Sequence, residues 1–333
     1  MQAVASRNDW PLRMPSRSRH SRSRSPQPPA ARTPPDPSAA PNLYELERFT
    51  HADLQRWQVA SERLDRLHRE LYFGFESQRR GIRAQLLESL SVSPASELDI
   101  SGWVRIVDYR YCLEPLSPAG SLRGIGGRFN VGDDLRSAGF DSWPALYLAE
   151  NAETAYREKF QCPAGSLHKG LSPEELALQI EGGFSVAIVK GRIQSVLDTS
   201  DLRSLQPFCD LIRRFALPAN VRELAAQLRI GRPYSVRTPY QLQRALHSPT
   251  WRTVPTQFDI PSNSQVFGGL TKDAGYEAIL FRSSKHSGRC LALFPDRLMA
   301  SDSYVELSGA YPAQVDVPRL DRASWPAFKG KLQ

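Results

Sequence analysis

The chain has 333 residues, 41% hydrophobic and 23% charged, with a formal net charge of +8, which allows one large domain or two smaller ones. Arg7, Arg13, Arg17, Arg19, Arg22, Arg24 and Arg32 against Asp9 and Asp36 place +5 of that charge in the first 41 residues, so the body is nearly neutral and does not read as a nucleic-acid binder. Cys112, Cys162, Cys209 and Cys290 lie far apart, which argues against a zinc site or a disulfide framework, and no apolar run reaches the ~18 residues of a membrane span.

Residues 1–45 are rich in Arg, Ser and Pro. Such a segment cannot bury enough apolar surface to offset its ordering entropy, so it is expected to be a disordered tail. Nucleic acid, an acidic partner or a membrane surface would be reached only through its charge. Its arginines precede no apolar core, so no standard secretory signal is expected and cytoplasmic synthesis is the default.

Residues 46–97 read as a helical segment. Thr50 with Asp53 resembles a capping box, and Leu54, Trp57, Leu64, Leu67 and Leu71 give one apolar face. Gly74 and Gly81 are expected to interrupt it, with Ile82, Leu86, Leu87 and Leu90 continuing as a second helix. The pair either packs on the main domain or forms a docking surface for a partner.

The main domain is expected over 98–310. WVRIVDYRYC (103–112) has strand character, and ALYLA (145–149) is short enough for a buried strand. Asn151 then offers an N-cap to a helix with Ala152, Ala155, Tyr156 and Phe160 on one face. Residues 164–183 read as an inserted short helix, and FSVAIVKGRI (184–193) is the clearest strand, followed by VLDTSD (196–201). Mixed helices are expected over 202–250. AGYEAILFRSS (274–284) and CLALFP (290–295) form a strand pair joined by KHSGR, and residues 311–333, with Pro312, Pro318 and Pro326, read as an extended C-terminal tail. Short strands among helices and irregular connections indicate an α+β fold rather than a doubly wound sheet.

The residues with chemical potential gather in Gly124–Phe160. The glycines at 124, 126, 127 and 132 do not have GxGxxG spacing and precede no convincing helix, so a dinucleotide fingerprint fails. They can bring backbone close to a ligand and leave Arg128 projecting from a tight loop, as a fork suited to phosphate or as an ordinary surface cation. Tyr147 is either a core tyrosine or a ring for nicotinamide or adenine to stack on. Glu158 is either an exposed helix glutamate or a carboxylate for a ribose hydroxyl and an oxocarbenium-like centre. Ser283 is unremarkable in isolation. No GxSxG elbow, Walker A motif or metal-ligand histidine spacing occurs.

Taken together, GGRFN (126–130), LYLAENAETAYREKF (146–160), VLDTSD (196–201) and AGYEAILFRSSKHSGRCLALF (274–294) resemble, in that order, the RES-domain family of toxins from bacterial toxin–antitoxin systems. The resemblance implies an ADP-ribosyltransferase-like core of small mixed or antiparallel sheets with surrounding helices. It implies that Arg128, Glu158 and Ser283 are the family's arginine, glutamate and serine, with Ser284 as the fallback for the last. Tyr147 and Arg105 match a family tyrosine and an upstream arginine. The implied activity is an NAD-consuming toxin that breaks the nicotinamide–ribose bond, with water or phosphate as acceptor and NAD as substrate without a metal. In that role Arg128, with Arg105, would hold the pyrophosphate, Tyr147 the ring, Glu158 the ribosyl cation and Ser283 the nicotinamide-ribose. The alternatives are a mono-ADP-ribosyltransferase with a protein target, or a non-enzymatic binding module. An antitoxin or an immunity protein is the expected partner, although the tail, the helical segment and the insertions depart from the compact family pattern.

Overall fold

The computed structural model describes residues 2–3, 51–162, 183–231 and 233–332. The expected disorder of the tail, the capping box at Thr50 and the short helix over 164–183 therefore lie outside the described residues, apart from β1 (Gln2–Ala3), which pairs antiparallel with Tyr234–Ser235.

Helix α1 runs unbroken over His51–Gly81 and α2 over Arg83–Ser91. Gly74 does not interrupt the helix as its propensity suggests. A Cβ there would lie 2.3 Å from the Pro218 ring, so the glycine lets a later loop pack straight onto the helix backbone. Gln78, one turn on, exchanges two hydrogen bonds with the Ala216 backbone, at 2.9 and 2.8 Å. Packing contacts of this kind outweigh a cost of ~1 kcal/mol for a helical glycine. Leu67, Leu71, Phe75, Leu86 and Leu90 are all buried in the largest apolar cluster, beside Phe129, Phe208, Phe267 and Phe281. Each such side chain contributes roughly 1.5–3 kcal/mol. The helical segment thus covers the core of the main domain. Trp57, expected on the same face, is instead 69% exposed.

The strands β2 (Ser96–Asp108), β5 (Leu146–Ala149), β6 (Phe184–Asp198), β8 (Ala278–Arg282), β9 (Arg289–Leu293), β10 (Tyr304–Leu307) and β11 (Arg319–Leu320) form one sheet. Its order is β11-β10-β6-β2-β5-β9-β8, and β8 also pairs in parallel with the end of β6. The sheet therefore closes on itself through β6, β2, β5, β9 and β8. The β2–β6 ladder bulges where Ser101 and Trp103 shift register, at Gly102 with φ +70°, a conformation that glycine adopts without strain. Strand β6 takes in VLD of VLDTSD, making one strand where the sequence suggests two features.

Alternation along these strands sorts side chains between two cores. Leu146, Leu148, Leu280, Leu291 and Leu293 join the second cluster, while Ala149, Phe281, Cys290 and Ala292 face the first. The first is covered by α1 and α2 and by α4 (Leu202–Ile212), α5 (Val221–Gln227), α6 (Pro239–Leu246), α7 (Thr253–Phe258) and α8 (Asn263–Asp273). Between them, β7 (Tyr234–Ser235) is the partner of β1. The C-terminal stretch is not an extended tail. It carries β11 and α9 (Trp325–Gly330), and Val315, Leu320, Trp325 and Phe328 are buried in the second cluster. The prolines break regular structure there, yet the aromatic area removed from water fastens the segment down.

Candidate active site

A register row runs across four strands. Phe281 of β8 is opposite Cys290 of β9, Cys290 opposite Ala149 of β5, and Ala149 opposite Val104 of β2. Side chains in one row share a face, and these four line a cleft of about 170 Å³ together with Tyr147, Arg105, Arg128 and Glu158.

Arg128 sits at the tip of a hairpin made by β3 (Gly126–Gly127) and β4 (Asn130–Val131). Gly126 has φ +88°, and a Cβ at Gly127 would lie 2.3 Å from the Tyr147 hydroxyl, so both positions need glycine. Asn130, fully buried, ties the turn. Its Oδ1 accepts from Gly127 N and from the Tyr147 hydroxyl, both at 2.9 Å, and its Nδ2 donates to Ser121 O and Trp143 O. Helix α8 braces the hairpin from behind. It begins on a Ser262/Gln265 capping box, Gln265 Nε2 donates to Ile125 O and Asn130 O, and Gly268 lies against the Phe129 carbonyl.

Arg128 is 5% exposed and its guanidinium donors are largely committed. Nη1 donates to Leu246 O (3.2 Å) and Ser248 O (2.8 Å), and Nη2 to Ser284 Oγ (3.0 Å). Burial lowers its pKa and the nearby Glu158 carboxylate opposes that shift. Arginine remains charged through such shifts.

Helix α3 (Ala152–Phe160) starts as the sequence indicates, with Asn151 Oδ1 accepting from Thr154 N at 2.9 Å. Its first turn packs under the β8–β9 connection, where Thr154 Oγ1 bonds His286 Nδ1 at 2.8 Å and a Cβ on Gly288 would strike Thr154. That docking sets Glu158, one turn on, against the two serines. Ser283 Oγ donates to Glu158 Oε1 at 2.6 Å, and Ser284 N donates to the same oxygen at 3.1 Å. Ser283 Oγ in turn accepts from Lys285 N and His286 N. Adjacent residues divide the work: Ser283 holds the carboxylate and the Ser284 hydroxyl holds the guanidinium. Among the described residues Glu158 forms no direct ion pair, and Arg128 and Arg252 act on its carboxylate through space.

Tyr147 lines the cleft, but its hydroxyl is spent in structure. It donates to Asn130 and accepts from Phe129 N at 2.9 Å, and burial holds its pKa far above the ordinary phenol value. Its ring face remains available. Arg105, on β2, donates through Nη2 to Ser117 O at 2.7 Å, and its enclosed Nε has no partner. Burial lowers its pKa to about 10.

The structure adds three residues that the sequence does not single out. Cys290 lines the cleft as a neutral thiol, because burial and then the Glu158 charge push its pKa up. Trp251 and Arg252 enter from the connection between α6 and α7, with the Arg252 guanidinium carbon 4.6 Å from the Trp251 ring centroid. An adjacent aromatic and arginine in a helical stretch carries no spacing signal, so nothing in the sequence marks them. Among the described residues no group of three His, Cys, Asp or Glu could hold a metal ion, and no helix is long and apolar enough to cross a membrane.

Residues 103–316 match the family model described as the RES domain. The chain is also similar to a chain in the crystal structure of the M. tuberculosis MbcT–MbcA toxin–antitoxin complex, at 14% identity and a TM-score of 0.36, over 74% of this chain and 97% of that one. No curated protein matches the chain.

Proposed function

The chain belongs to the RES domain family, and from that premise we propose that it is an NAD-consuming toxin that breaks the nicotinamide–ribose bond. The observation that carries the reading is the Glu158 carboxylate, fixed at 2.6 Å by Ser283 and without an ion-pair partner among the described residues, at the wall of a cationic, tyrosine-lined cleft.

The chemistry asks little of the protein beyond placement. When the C1′–N1 bond breaks, nicotinamide departs with the bonding pair as a neutral molecule, so no strong general acid is required. The positive charge that builds on the ribose needs a fixed anion nearby, and Glu158 meets that need without reorganising during the reaction. Ser283 holds it in place. Arg128, through Ser284, fixes the backbone that carries both serines, and the Tyr147 ring forms the wall against which a nicotinamide packs. Water or hydrogen phosphate then adds to C1′, and the proton it sheds passes to solvent. The strand ring with its helical cover is read as an ADP-ribosyltransferase-like core, and a neutralising antitoxin or immunity protein belongs to the same reading.

The test is release of nicotinamide from NAD by purified protein, with and without phosphate, beside labelled transfer of ADP-ribose to protein. Release that falls by about 10²–10³ in Glu158→Ala supports the proposal, since that is the scale for one preorganised electrostatic group. Unchanged release in Glu158→Ala and Arg128→Ala would sink the site assignment. Label appearing on protein without free ADP-ribose would make the activity a transferase.

A further inference from the structure

The three arginines of the cleft are not equivalent. Arg128 has its Nη donors on two backbone carbonyls and Ser284, and Arg105 is bonded through Nη2 to Ser117 O and through Nη1 to Tyr147 O, with its Nε enclosed. Neither can turn to a ligand without abandoning protein partners. Arg252 is exposed at the cleft, and its guanidinium makes no hydrogen bond or ion pair among the described residues. The remaining cation, Lys159, is paired with Asp108 at 2.7 Å.

Arg252 is nonetheless positioned. Trp251, 6% exposed, presents its ring to the Arg252 guanidinium at 4.6 Å and has the fixed Arg128 at 5.9 Å from the same ring. An aromatic face orients a guanidinium and leaves its N–H edge free for a bidentate acceptor. The cleft also holds one carboxylate, Glu158, against these arginines, so it attracts an anion.

We propose that Arg252, oriented by Trp251, is the subsite that grips the pyrophosphate of a dinucleotide substrate, while Arg128 is a positioning residue for the serine pair. This rests on the NAD reading above. It shifts the phosphate contact from the arginine of the glycine-rich hairpin to that of the α6–α7 connection, and both guanidinium groups lie by the Trp251 ring.

The test uses the full chain carrying Glu158→Gln, so that ligand is bound without turnover, and measures dissociation constants by calorimetry. NAD and nicotinamide riboside, which lacks phosphate, are the two probes. Adding Arg252→Gln should weaken NAD by about tenfold, equivalent to ~1.4 kcal/mol, and change nicotinamide riboside by less than about twofold. Arg252→Lys, which keeps the charge but loses the fork, should fall between. Equal weakening of both probes would mean local damage and would overturn the proposal, as would unchanged NAD affinity. If the Glu158→Gln chain binds neither probe, the NAD reading itself fails and takes this subsite with it.

Discussion

Replacing Ser283 by alanine isolates one bond at the centre of the site. The lost contact is a 2.6 Å hydrogen bond to an anionic carboxylate oxygen, which leaves Ser284 N at 3.1 Å as that oxygen's remaining donor. Hydrogen bonds to charged groups contribute ~1.5–3 kcal/mol. If that loss falls on the transition state, kcat for nicotinamide release drops about 10- to 150-fold, at roughly 1.4 kcal/mol per decade. KM should stay within about threefold, because the bond being removed orients Glu158 rather than gripping substrate. Two backbone donors, Lys285 N and His286 N, also lose their acceptor, so the turn itself is at risk. Ser283→Thr is the positive control, since it restores the hydroxyl as donor and acceptor together, and the melting temperature of Ser283→Ala reports damage to the turn apart from kcat. Initial rates against NAD concentration for the three proteins give both parameters. A Ser283→Ala enzyme within twofold of the parent, or a threonine variant no better than alanine, refutes the argument.

Other expectations concern the scaffold. Phe75→Ala in α1 should cost about 3–5 kcal/mol in denaturant unfolding and leave a single transition, because Phe75 is fully buried in the main core; a separate early transition for the helical segment would contradict this. Gly268→Ala would drive a Cβ to 2.1 Å from the Phe129 carbonyl oxygen, so it should lower the melting temperature and the nicotinamide-release rate together. A variant as stable and active as the parent would contradict the bracing role of α8. Burial lowers the pKa of His68 and of His247 from 6.5 to about 4. The unfolded chain therefore binds protons between these values that the folded chain does not, so their contribution is intact above pH 6.5 and is lost as pH falls toward 4, at up to ~1.4 kcal/mol per pH unit for each. His68→Phe should flatten the fall in melting temperature over that range while keeping the stack on Phe258, now 4.0 Å between centroids; an unchanged slope would show that His68 does not titrate in this way.

Where a feature is encoded by neighbours in the chain, the sequence reveals it. ALYLA with Asn151 after it gives β5 and the start of α3 almost to the residue, and the pair AGYEAILFRSS and CLALFP gives β8 and β9, because alternation and capping are local rules. Features that depend on distant partners stay hidden. Gly74 reads as a break until Pro218 is seen against it, and residues 311–333 read as a tail until Trp325 and Phe328 are seen beneath the sheet. The question of Ser283 or Ser284 has no sequence answer, because each serine takes a different charged partner from a different part of the chain. Trp251 and Arg252 are absent from the reading for the same reason. Their meaning comes only from the cleft they enter.

The closed circuit of strands has a mechanical consequence. A hoop opens at its shortest seam, and here the β2–β5 seam is a single pair, Val104 with Ala149, lying in the row beneath the cleft. The parallel β6–β8 seam has three pairs and the β2–β6 ladder eleven. Local opening follows the fewest bonds, so the amides around Val104 and Ala149 should exchange with solvent sooner than the rest of the circuit. A ligand seated across that row would slow them, which makes backbone exchange at one two-residue seam a direct gauge of whether the cleft is filled.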